Sequence, residues 1–152
     1  MYASKLIAVS GWIFCVIGIV LVVFGGQNSK TDAREKNNNK EPSKLLVIWT
    51  SSDKDVAEKM VFMYTYNAKK NGWWDEVRFI IWGPSSKLLS NDNDLQNYLA
   101  KMKETGVELL ACKACADMYD VTEKLEKMGV DVKYMGVPLT DMLKSGWVTM
   151  TF

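Results

Sequence analysis

Val107-Glu108-Leu109-Leu110-Ala111, running straight into Cys112-Lys113-Ala114-Cys115, is the stretch whose reading decides the fold of this 152-residue chain. The apolar run predicts a buried strand, and Met118, Val121, Leu125 and Met128 recur at helical spacing, which predicts a helix over roughly Ala114 to Met128. Two thiols therefore stand at a strand-to-helix junction. A helix start leaves backbone N–H groups unpaired and carries about half a positive charge, which favours a thiolate and points to sulfur chemistry.

The same alternation extends in both directions. Leu45 to Trp49 is a short continuous apolar run, as expected of a strand buried on both faces. Asp53 to Asn71 reads as a helix capped by Ser52 and stopped by Gly72, with Val56, Met60, Met63 and Tyr64 on its inward face. Val77 to Trp82 gives the second strand, followed by a short helix over Ser86 to Ser90. A longer helix starts at Asp92 or Asn93, carries Leu95, Leu99 and Met102, and ends at Gly106. Val130 to Tyr134 is the fourth strand, Pro138 to Lys144 a short helix, and Trp147 to Phe152 the last strand. Strands alternating with amphipathic helices predict an α/β domain with a mostly parallel sheet. In such sheets ligand sites gather at the carboxyl ends of the strands. Thr50-Ser51-Ser52, Gly83-Pro84-Ser85, Cys112 to Cys115 and Met135-Gly136-Val137 should then share one edge, with Trp49 and Trp82 closing the first two strands.

Composition narrows the partners. With 48% hydrophobic residues, 11% aromatics and a formal charge of +1, the chain has a core and no basic footprint, so nucleic acid is not an expected partner. Leu6 to Phe24 is free of charged residues and long enough to span a bilayer. Residues 1–26 are accordingly read as a single-pass transmembrane anchor or uncleaved signal, with a cleaved signal ending near Val23-Phe24-Gly25 as the alternative. Lys30, Arg34, Lys36 and Lys40 follow the span while only Lys5 precedes it, which favours a cytoplasmic over a periplasmic domain. Residues 27–43 are polar and read as a flexible linker, with a reach of roughly 20 to 25 Å by square-root scaling. The domain then occupies 44–152.

The cysteines leave several chemistries open. The chain has no histidine, and its third cysteine, Cys15, lies within the apolar span, so a metal site within one chain is not expected, and no cofactor is called for. A site shared between two subunits stays open. Cys112 and Cys115 could instead form a thiol-disulfide redox pair, although Lys113-Ala114 replaces the Gly-Pro of the familiar redox motif. Cys112 could accept a sulfane sulfur as a persulfide, with Cys115 as a second thiol. Both could also be inert buried residues in a non-enzymatic binding module, a reading that the tryptophans at 49, 73, 74 and 82 encourage.

LLVIWTSS from Leu45, VRFIIWGPSSKLL from Val77, GVELLACKACAD from Gly106 and GVDVKYMGVPLTDMLKSGWVTMTF from Gly129 together resemble the DsrE/DsrF-like family, which includes sulfur-relay subunits and many small relatives. The resemblance covers Lys44 to Phe152. It implies a three-layer α/β/α domain with a mostly parallel central sheet, here preceded by one N-terminal transmembrane helix. It also implies assembly into homo-oligomers, trimers or hexamers, and a persulfide on one cysteine just after a central strand. Cys112 holds that position; Cys115 has no counterpart in the relay subunits. The resulting expectation is a membrane-tethered, sulfurtransferase-like sulfur carrier. Its partners would be sulfur donor and acceptor proteins or small thiols.

Overall fold

The computed structural model describes residues 41–152. The expected span and most of the expected linker lie outside the described residues. Among those residues, no helix is long and apolar enough to cross a membrane.

Five strands form one sheet: β1 (Lys44–Trp49), β2 (Glu76–Ile81), β3 (Glu108–Cys112), β4 (Asp131–Lys133) and β5 (Val148–Thr151). Their order is β4-β3-β2-β1-β5, and every neighbouring pair is parallel. The order explains how the helices are distributed. A right-handed crossover puts its helix on one face when the chain steps one way and on the opposite face when it steps back. Three successive steps, β1 to β2 to β3 to β4, build one thick helical layer. A single return to β5 builds the other.

The thick layer begins with α1 (Lys54–Val56), a π-helical segment (Ala57–Phe62) and α2 (Met63–Lys70), joined end to end. It continues through α3 (Pro84–Asn91), α4 (Asn93–Glu104), α5 (Lys113–Met118) and α6 (Thr122–Lys127). Between them and the sheet lies the larger core, in which Trp49, Phe62 and Phe79 meet. Trp49 stacks on Phe79 at 6.0 Å between ring centroids, and Phe62 meets both edge-on at 5.1 and 5.3 Å. The opposite face is covered by α7 (Gly136–Lys144), which buries only Leu46, Ile48, Ile80, Leu110, Cys112, Met135 and Met142 with it. The sheet is thus flanked by helices on both sides, very unequally.

Three local expectations are corrected. The first helix is capped by Asp53 and not Ser52: the Asp53 carboxylate accepts from the Asp55 and Val56 amides at 2.8 and 3.2 Å. Its inward face is Ala57, Val61, Phe62, Thr65 and Ala68, while Met60 and Met63 are exposed. The π-helical turn is wider than the α-helical one assumed from the spacing, so the buried positions drift out of a strict 3.6 period.

The third correction lies just beyond the cysteines, where the single helix expected to Met128 is two. Asp120 adopts φ 55°, the Asp120 amide donates to the Asp117 carbonyl at 3.1 Å, and the Val121 amide donates to the Ala116 carbonyl at 2.9 Å. That is a Schellman termination with aspartate where glycine is usual. Val121 and Leu125 are inward as expected, but Met118 is 84% exposed.

Candidate functional site

Because all five strands are parallel, their carboxyl ends share one edge, as the sequence led us to expect. The rule for open parallel sheets favours the point where the strand order reverses, which is here between β1 and β5. That crevice is occupied by backbone. The Phe152 carbonyl accepts from the Thr50 amide at 2.7 Å and from Thr50 Oγ1 at 2.6 Å, and the Phe152 amide donates to the Ile48 carbonyl at 3.0 Å. Ser85 is structural as well: its buried hydroxyl donates to the Trp49 carbonyl at 2.6 Å and accepts from the Trp82 amide at 3.1 Å. Two of the four loops are therefore committed to closing the sheet edge.

The cysteine loop is different. Cys112 ends β3 and, in an extended conformation (φ −72°, ψ 109°), caps α5, so the chain turns from strand to helix within one residue. Its side chain points to the thin face, where it is 5% exposed among Leu110, Ile80 and Met135, with Trp82 and Leu139 packed around the same cluster. Cys115 is one helical turn on, partly exposed, and packs against that cluster from its rim. Both thiols are free, and both pack in the same apolar cluster. Burial pushes the Cys115 thiol up from its ordinary value, the neighbouring Cys112 thiol adds to this, and the Gly83 amide works in the opposite direction. Cys115 is therefore not the low-pKa thiolate that a helix start alone would suggest.

Gly83, which precedes α3, takes φ 69° and ψ −133°, a backbone conformation open in practice only to glycine. A Cβ there would meet nothing within 4 Å, so the restriction is conformational and not one of space. Lys113 lends the thiols no free cation. It is bound to both oxygens of Asp117 at 2.8 Å and lies 5.9 Å above the Tyr134 ring, and the Asp117 hydrogen bond holds its pKa up.

The tryptophans separate by position. Trp49 is core, and Trp73 and Trp74 precede β2, at the edge of the sheet away from the cysteines. Of these four, Trp82 is the one that packs against the cluster holding the thiols. No residue pattern announces a cleft of about 470 Å³ beside α3, lined by Ser52, Pro84, Lys87, Leu88, Asn91 and Tyr119. Ser52 and Pro84 put it near the carboxyl ends of β1 and β2, and Tyr119 follows the end of α5, but neither thiol lines it. Lys87 and Asn91, an i,i+4 pair on α3, carry its polar wall. Among the described residues no group of three or more Cys, Asp or Glu is placed to hold a metal ion.

Comparison with known proteins agrees with this architecture. No curated protein matches the chain. Among solved structures it is similar to a conserved protein of unknown function from Bacteroides thetaiotaomicron, with 36% identity and a TM-score of 0.70, over 72% of this chain and 95% of that one. The family model for DsrE/DsrF-like proteins matches residues 43–152, the whole of the five-stranded domain with its thiol pair, and the chain belongs to the DsrE/DsrF-like family.

Proposed function

We propose that this protein is a membrane-tethered sulfur carrier in which Cys112 accepts a sulfane sulfur as a persulfide and Cys115 serves as the outer, auxiliary thiol. The observation that carries the reading is the placing of two free thiols in one cluster at the end of a central strand in a DsrE-family domain. Burial of Cys112 beneath Met135, Trp82 and Leu139 suits a carrier, because a persulfide out of bulk water is kept from adventitious thiols. The cleft at the start of α3, near the same end of the sheet, is of a size that holds small molecules, and Lys87 suits it to a negatively charged small thiol as donor.

The test is to load the full chain in detergent, with Cys15→Ser and Cys115→Ser so that only Cys112 can hold the sulfur, using a sulfane-sulfur donor, and to weigh it intact. This chain gains one sulfur, and the same chain with Cys112→Ser gains none. Equal addition in both, or none in either, removes Cys112 as the acceptor. Lys87→Ala should slow loading from an anionic donor and leave loading from a neutral one unchanged.

Two further parts of the reading rest on separate supports. The uncharged stretch from Leu6 to Phe24 and the cations after it support a single-pass tether with the domain on the cytoplasmic side. Protease protection in sealed vesicles tests the orientation. Val137 and Leu143 on α7 and the neighbouring Tyr134 are exposed, which supports self-association through the thin side of the sheet. Light scattering of wild type against Val137→Glu measures it.

A further inference from the structure

We infer that the Cys112–Cys115 pair makes this chain a sulfide-releasing persulfide reductase, in which Cys115 discharges a sulfur held on Cys112. The inference rests on the carrier reading above and adds a second activity to it.

The geometry supplies the reason. Cys112 ends β3 and caps α5, and Cys115, one helical turn on, packs at the rim of the same cluster in which Leu110, Ile80 and Met135 enclose Cys112. A sulfur added to Cys112 on the side away from Cys115 leaves Cys112 Sγ between the two. Thiolate attack on a sulfur–sulfur bond runs in line, so Cys115 at Cys112 Sγ displaces the outer sulfur and does not merely move it. The Cys115 thiol first gives up its proton. Its sulfur then forms a bond to Cys112 Sγ, the bond between Cys112 Sγ and the outer sulfur breaks, and the outer sulfur leaves with the electron pair as hydrosulfide. Cys112-S-S⁻ and the Cys115 thiol thus become a Cys112–Cys115 disulfide and HS⁻. The sulfane sulfur is reduced by two electrons, and the two cysteine sulfurs together are oxidised by two. A dithiol reductant from outside the protein returns the pair to its reduced state.

The experiment uses the full chain in detergent with Cys15→Ser, reduced, loaded with a glutathione persulfide and desalted. Free sulfide and intact mass are then followed together. Wild type should lose the added sulfur, liberate one equivalent of sulfide and settle two hydrogens lighter than the reduced chain. Cys115→Ser and Cys115→Ala should each retain the added sulfur, releasing sulfide at least roughly tenfold more slowly, as loss of an intramolecular thiol implies. Retention of the sulfur by wild type, at the same rate as by the two variants, overturns this inference and leaves the carrier reading intact. Failure of wild type and of both Cys115 variants to take up sulfur overturns the carrier reading and this inference with it. A disulfide that forms without an equivalent of sulfide also overturns it, because the pair would then be oxidised by another route.

Discussion

The two faces of the sheet are built from the same five strands and do different work. On the thick face, alternate residues of β1, β2 and β3 meet the helices of the thick layer around Trp49, Phe62 and Phe79. On the thin face, the intervening residues of the same strands meet α7 and, at the rim, Trp82 and Cys115, and the last of them is Cys112. Since strand side chains alternate between faces, moving the cysteine by one residue would seal it under the thick layer. The comparison teaches that stability is concentrated on one side and access on the other. The reactive residue sits at the edge of the less heavily covered one.

The largest test of that division is Phe79→Ala, which removes the ring between Trp49 and Phe62 and should cost about 3 to 5 kcal/mol in denaturant unfolding. Leu110→Ala, fully buried on the thin face, should cost near the lower end for such truncations, about 2 kcal/mol, because α7 can settle into the space. Equal losses at the two positions would break the comparison. Smaller again is Arg78→Ala at the other end of the thin face, where the guanidinium pairs with Glu108 at 2.6 Å and lies 4.6 Å over the Trp147 ring. About 1 kcal/mol should be lost there, because both contacts are partly exposed. The fourth outcome concerns reactivity and not stability. Cys115 should alkylate before Cys112, being the more exposed. Since burial raises its pKa, the thiolate fraction near neutrality is reduced, and its rate should climb with pH to a midpoint above that of a free cysteine. Mass mapping of alkylated peptides across the alkaline range measures both.

The strands were legible because their residues obey one simple demand. Leu45 to Trp49 and Phe79 to Ile81 are apolar on both sides since both sides are covered. The cysteine junction was legible for the same reason, since an apolar run that stops at Cys112 must turn there. What escaped was what depends on geometry between neighbours. The π-helical turn at Ala57–Phe62 rotates the buried face away from Met60 and Met63, and no residue type announces it. The break after Met118 escaped because Asp120 does what glycine is expected to do. Asp120→Gly should raise stability by about 0.5 to 1 kcal/mol, by relieving the left-handed backbone. At the carboxyl edge of the sheet, the hydrogen bond from Ser85 to the Trp49 carbonyl joins residues 36 positions apart in sequence, which no local motif encodes.

Ser43 immediately precedes β1. Its amide and hydroxyl donate to the Asp75 carboxylate at 2.7 and 2.8 Å, and its carbonyl accepts from the Asp75 and Glu76 amides at 3.0 and 3.1 Å. β1 itself is hydrogen-bonded along both edges, to β2 and to β5, in the same direction. A pull arriving through the residues before Ser43 therefore loads two rows of hydrogen bonds in shear, behind a clasp that must open first. In mechanical terms the domain is gripped at its most resistant strand, far from the edge where Cys112 and Cys115 lie, so strain on the chain ahead of it need not disturb the thiols.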